Sequence, residues 1–264
     1  MQPDSNILQI DNLSKYFGGL AAVANCSLKI KRGSITGIIG PNGSGKTTLF
    51  NLIAGNLKCS EGQVLFNNEN ITDVPSYELF SKGLLRTFQI AHEFSNLTVL
   101  ENLMMVPGNQ SGEILLNALL KPKLIEKEEE EIRAKAYEVI EFLNLKHLAN
   151  ERAGNLSGGQ KQRATLARAL ARDPLVLVLD DALSAVDTHT ETQILDDLQE
   201  IMSGRTSFII SHRVSAVMRA DKILVLDEGV IVESGTHAEL IATNGTYTGP
   251  VSYTHLRAHE TRHD

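Results

Sequence analysis

The 264-residue sequence predicts an α/β protein with a mainly parallel core sheet, an antiparallel β subdomain and an inserted α-helical subdomain. Two observations carry this expectation. The runs Leu175–Leu179, Thr206–Ile210 and Lys222–Leu226 have strand length and strong apolar character, with helical patterns between them, as parallel strands covered on both faces require. The run Gly40-Pro41-Asn42-Gly43-Ser44-Gly45-Lys46-Thr47 fits G-x-x-x-x-G-K-[ST], and it stands between a strand pattern and a helix pattern.

Taken in chain order, Ile7–Ile10 and Ala22–Ile30 alternate like strands with one covered face, and Gln63–Phe66 repeats the pattern. Antiparallel strands are therefore expected around the glycine loop. Ser34–Ile39 reads as the buried strand leading into that loop, and Lys46–Ala54 as the helix leaving it. From about Val99 to Leu143 the period becomes helical, and Ile125–Leu143 places Ile132, Ala136, Val139, Ile140 and Leu143 on one face. A helical subdomain inserted over about 90–160, within a domain spanning 1–249, is the expected organisation. The acidic run Lys127-Glu128-Glu129-Glu130-Glu131 reads as a solvated helix face.

The glycine loop points to phosphate chemistry and a P-loop NTPase core. Its glycines let successive backbone N–H groups turn inward around an anion, Lys46 can reach the outer phosphates, and the Thr47 hydroxyl can meet Mg²⁺. Gly40, Asn42, Gly43, Ser44, Gly45, Lys46, Thr47 and Thr48 are the candidate nucleotide contacts. The motif alone also suits kinases, GTPases and helicases.

Composition narrows the classes. Hydrophobic content of 42% and charged content of 22% are those of a globular protein, while a net charge of −7 argues against a nucleic-acid-binding surface. No apolar run is long enough to cross a bilayer, and Met1–Asn6 lacks the regions of a secretory signal, so a cytoplasmic, peripheral location is expected. Cys26 and Cys59 have neither metal-ligand nor redox spacing and read as reduced structural thiols.

Beside the glycine loop stand Gln89, the pentapeptide Leu156-Ser157-Gly158-Gly159-Gln160, Asp180, Asp187 and His212, in that order. With them the chain resembles the ATP-binding cassette (ABC) ATPases over nearly all of residues 7–245. The resemblance implies ATP and Mg²⁺ as cofactors, integral-membrane permease subunits as partners, no nucleic acid, and a second ABC ATPase subunit in a homo- or heterodimer. In that family each ATP lies between the phosphate loop of one subunit and the signature pentapeptide of the other. Ser157, Gly158, Gly159 and Gln160 are thus implied to serve the partner's nucleotide, as the start of a helix whose N–H groups suit a γ-phosphate. Asp180 is implied to hold the metal with Thr47 and Gln89, and His212 to contact the γ-phosphate and attacking water. Asp187 belongs with the nucleotide contacts. Phe17, in Lys15-Tyr16-Phe17-Gly18, matches the aromatic that stacks on adenine, with Tyr16 as the adjacent alternative and core packing as the competing reading.

The sequence departs from the family in two ways. Where the family has a glutamate that polarises water, the residue after Asp180 is Asp181, which shortens the carboxylate arm and should impair turnover more than binding. This resembles the degenerate subunit of heterodimeric exporters. The second departure is a change of accent along the chain. Through Lys15–Leu20, Arg86–Gln89 and Glu151–Asn155, residues 1–155 resemble branched-chain amino-acid importer ATPases, whereas through Ser211–Val217 and Glu233–Leu240, residues 156–245 resemble multidrug-type exporter domains. A mosaic gene would give this pattern, and two genes joined in assembly explain it more simply. The tail 250–264 back-translates into a string resembling a transposase sequencing adapter, so the helical spacing of His255, His259 and His263 is not read as a metal site.

The expected function is an ATP-binding, ATP-hydrolysing transporter subunit of the branched-chain amino-acid import type. The first alternative is the nucleotide-binding domain of a multidrug- or lipid-type exporter. Another class is a soluble ABC ATPase of translation or DNA repair, disfavoured because 90–155 is too short for a coiled-coil insertion. A P-loop small-molecule kinase leaves the pentapeptide unexplained.

Overall fold

The computed structural model describes residues 6–86, 94–108, 110, 117, 120–180, 202 and 205–249. They fall into two compact units, one made of Met1–Arg86, Leu175–Asp181 and Ile201–Asp264, the other of Thr87–Pro174 and Ala182–Glu200.

The first unit holds two sheets. Strands β1 (Asn6–Phe17) and β2 (Leu20–Lys31) pair antiparallel, β4 (Glu61–Phe66) joins the other edge of β1, and β5 (Glu69–Asn70) follows. β1 runs well beyond the alternating stretch Ile7–Ile10, because its pairing with β2 shifts between Ile10 and Leu13, with Asn12 at φ 49°. Such a bulge breaks the period-two pattern that marks a strand in sequence. Ile7, Leu8, Ile10 and Leu13 of β1 all enter the core.

The second sheet has the order β10–β9–β3–β8–β7–β6. Its strands β3 (Ile35–Ile39), β6 (Leu84–Arg86), β7 (Val176–Asp180), β8 (Thr206–Ile210) and β9 (Lys222–Asp227) are parallel, and β10 (Val230–Gly235) pairs antiparallel with β9. Every residue of β7 and β8 is buried, which explains why these strands read as continuous runs. Helix α1 (Lys46–Ile53) follows β3 and α2 (Ser76–Ser81) precedes β6. The Phe50 ring of α1 meets Phe208 of β8 edge-on, with centroids 5.3 Å apart.

The second unit contains α3 (Val99–Met104), α4 (Pro122–Phe142) and α5 (Gly158–Ala171). Ala136, Ile140 and Leu143 are the buried members of the apolar face expected on α4. Lys127, Glu129, Glu130 and Glu131 are exposed, so the acidic run is a solvated face. A reciprocal cap starts α3: the Thr98 hydroxyl accepts from the Glu101 N–H while the Glu101 carboxylate accepts from the Thr98 N–H at 2.7 Å. The Thr98 N–H, and after it the Thr98 hydroxyl donating to Oε2 at 2.9 Å, hold the Glu101 carboxyl below the usual carboxylate range. Asn102, 1% exposed, secures the preceding loop by accepting from the Phe94 N–H at 2.9 Å and donating to the Thr98 carbonyl at 2.9 Å.

The first unit closes with α6 (Val214–Val217) and α7 (His237–Thr243). Tyr247 is fully buried, with its hydroxyl 2.7 Å from His237 Nδ1, and burial pushes its phenol up to about 12.

Candidate nucleotide site

Strand pairing places the expected chemical groups along one edge of the second sheet. Asp180 of β7 stands opposite Ile210 of β8, Ile210 also stands opposite Ile38 of β3, and the Ser211 N–H donates to the Ile38 carbonyl at 3.1 Å. The glycine loop after β3, Asp180 at the end of β7 and His212 just after β8 therefore share the carboxyl edge, where ligands gather in parallel sheets.

The loop has little freedom. Gly40 must be glycine, because a Cβ there would lie 2.0 Å from the Leu226 carbonyl oxygen. Gly45, at φ 98°, turns the chain into α1. No side chain caps that helix and its first turn has no acidic residue, which leaves its positive end and its first N–H groups for an anion. The buried Lys46 ammonium donates to the Gly40 and Pro41 carbonyls, both at 2.8 Å. Thr47, the second residue of α1, is exposed. A buried ammonium, an uncapped helix start and a hydroxyl fit a triphosphate with a hard cation.

Asp180 carries a partner that the sequence did not suggest. Arg86, ending β6, donates from Nη2 to Asp180 Oδ2 and from Nη1 to Asn51 Oδ1 of α1, each at 2.5 Å. Both side chains of the ion pair are 9% exposed. Arg86 was legible only as a charge ending an apolar run, where burial demands a partner.

Phe17 is 50% exposed and Tyr16 40%, so neither ring is buried in the core. Lys15 Nζ lies 5.3 Å from the Phe17 centroid and donates to the Lys58 carbonyl at 2.8 Å. His212 is exposed, and the buried Ser211 hydroxyl beside it accepts from the Arg213 N–H at 3.0 Å. In the second unit, Ser157 caps α5: Gln160 Oε1 accepts from the Ser157 N–H at 2.9 Å and the Ser157 hydroxyl accepts from the Gln160 N–H. A Cβ added to Gly158 or Gly159 would meet nothing within 4 Å, so the helix start has an open approach. Gln89, Asp181, Asp187 and the tail 250–264 lie outside the described residues.

The family model described as ABC transporter matches residues 23–184, from within β2 through the phosphate loop, signature and Asp180. The chain belongs to the ABC transporter family. It is an ABC ATPase cassette. The cassette is 40% identical to the probable branched-chain amino acid transport ATP-binding protein LivG of Methanocaldococcus jannaschii over 243 residues, covering 91% of the cassette and 94% of that protein. It is 38% identical to the probable multidrug resistance ABC transporter ATP-binding/permease protein YheI of Bacillus subtilis, covering 84% of the cassette but 36% of that protein. Among solved structures, the ADP conformation of MJ1267, an ATP-binding cassette of an ABC transporter, aligns with a TM-score of 0.74 at 40% identity, over 89% of the cassette and 92% of that chain.

The ABC family couples ATP hydrolysis to transport. Among the described residues no helix is long and apolar enough to cross a membrane.

Proposed function

We propose that the cassette is the ATP-hydrolysing subunit of a branched-chain amino-acid importer, peripheral to the cytoplasmic face of the membrane and docked on integral permease subunits. The match with LivG, 40% identical over 91% of the cassette, carries this reading. Mg²⁺ bound with ATP supplies charge neutralisation at the transferring phosphate. Toward it the cassette offers the Thr47 hydroxyl, the Asp180 carboxylate and Gln89. Lys46 and the loop N–H groups of Gly43, Ser44, Gly45 and Thr48, with Asn42, bind and orient the phosphates. Phe17 stacks on the base, Asp181 and His212 hold the attacking water, and Ser157 to Gln160, with Asp187, complete the partner cassette's site in a head-to-tail dimer. The helical insertion over about 90–160 is the part that selects the permease.

Reconstitution in proteoliposomes with an importer permease pair tests this. ATP turnover should rise when a leucine-loaded binding protein is added. Stimulation by a hydrophobic drug or lipid with an exporter's membrane domain, and none by the leucine-loaded protein, overturns the importer assignment in favour of the exporter reading supported by YheI.

We further infer that Asp181 weakens a catalytic base, so Asp181→Glu should raise ATP turnover about tenfold or more while leaving ATP affinity nearly unchanged. No gain in rate, alone or in a reconstituted dimer, overturns that role. The change of accent at 155–156 and the adapter-like tail support a join of two coding segments followed by a sequencing scar. Long-read sequencing of the source DNA across codons 150–165 and beyond 249 tests this, and a continuous frame overturns it.

A further inference from the structure

The Arg86–Asp180 pair is a costly arrangement. Both side chains are withdrawn from water, and the buried Arg86 Nε makes no hydrogen bond among the described residues. An ion pair that is buried and incompletely bonded contributes little net stability, because desolvation offsets the attraction. What it does accomplish is specific. It supplies a positive charge to a buried carboxylate at the end of β7, and it orients that charge by a second bond to Asn51, one turn beyond Lys46 and Thr47 on α1.

The same carboxylate is the one proposed to receive Mg²⁺, and two cations cannot share it without repulsion. From this geometry we propose that Arg86 is the resident counter-ion of Asp180 in the metal-free cassette. It holds Asp180 Oδ2 at the end of β7, and the Mg²⁺ of the nucleotide competes with it for the carboxylate. Arg86 thereby weakens metal binding and makes the site answer to Mg²⁺–nucleotide rather than to free metal. Its fixed fork matters, since one guanidinium reaches both Asn51 and Asp180 from the end of β6. The inference rests on the assignment of Asp180 as the metal-side carboxylate.

A purely structural role makes the opposite prediction, because damage to the site weakens metal binding whereas removal of a competing cation tightens it. The experiment is a Mg²⁺ titration of a fluorescent ATP analogue bound to the intact chain, repeated in EDTA without metal. Arg86→Gln should lower the half-saturating Mg²⁺ concentration by about tenfold, the least expected from removing one charge beside a divalent ion. Metal-free nucleotide affinity should stay unchanged, and Arg86→Lys, which keeps the charge but loses the fork that also reaches Asn51, should lower the half-saturating concentration by only about threefold. Should Arg86→Gln not fold, Asn51→Ala loosens the guanidinium without removing it and should lower the half-saturating concentration by roughly threefold. An unchanged or increased Mg²⁺ requirement in the variant measured overturns the proposal. Asp180→Asn separates the two levels: loss of the Mg²⁺ response upholds the metal role of Asp180, and a full response overturns that role itself.

Discussion

The Gly229 N–H donates to the Ser44 carbonyl at 3.0 Å, so the turn between β9 and β10 braces the middle of the phosphate loop. Gly45 sits in the same crowded place, where an added Cβ would lie 2.3 Å from the Ala22 carbonyl oxygen and 3.4 Å from the Gly229 Cα. The loop is therefore shaped by β2 and by the β9–β10 turn as well as by its own glycines.

Gly45→Ala should distort that brace. The positive φ and the collision with backbone together should cost about 1–3 kcal/mol or more, read by urea denaturation. Nucleotide affinity should fall in parallel, because the displaced N–H groups are those proposed to bind the phosphates. Wild-type stability and affinity in this variant would show that the loop can relax elsewhere.

Ser157→Ala should separate a local from an intermolecular role. Removing the cap of α5 should cost about 1 kcal/mol of stability, seen as faster amide exchange in the first turn. ATP binding by the isolated chain should be unaffected, while ATP-driven dimerisation, followed by light scattering, should weaken. Lost ATP affinity in the monomer would instead place Ser157 at the chain's own nucleotide.

The two thiols should differ in reactivity. Burial pushes the Cys26 thiol up to about 12, whereas Cys59 is partly exposed and raised by burial and then by the neighbouring Asp73 carboxylate. At about pH 8 an alkylating reagent should modify Cys59 slowly and leave Cys26 untouched until the chain unfolds. Mass spectrometry of peptides after timed quenching reads this, and early labelling of Cys26 would reveal local opening of β2.

Tyr247 gives the fold an alkaline limit. Its phenol is raised in the folded chain to about 12 from an ordinary 10, so the neutral form is the one that folding favours. That contribution is complete below the unfolded value of about 10 and is lost as pH climbs toward 12. Unfolding midpoints measured through this window should fall for the wild type and fall less for Tyr247→Phe. The variant should also lose about 1 kcal/mol at neutral pH through the missing bond to His237. Equal slopes for the two proteins would assign the alkaline loss to other groups.

Much of this molecule was legible because its signals are local. Val176–Asp180 and Thr206–Ile210 are buried on both faces, so their apolar runs announce strands, and the spacing of Ala136, Ile140 and Leu143 announces α4. The ends of β1 were harder to see, since its register shift removes the alternation that marks a strand. Asn102 gave no signal either: an asparagine in a helix says nothing about the carbonyls that its loop will present.

The sequence alone determined the ATPase cassette and its candidate phosphate contacts, because a glycine loop and a helix cap are built from residues adjacent in the chain. Only the tertiary structure decided what surrounds those contacts. Arg86 meets Asn51, 35 residues away, and Asp180, 94 residues away, because parallel pairing of β6 with β7 brings their ends together. It likewise left Phe17 exposed at the end of β1 and set Ala22 and Gly229 against the phosphate loop. Such contacts depend on register between distant strands, and burial then makes a charge that enters the sheet edge take the partner found there.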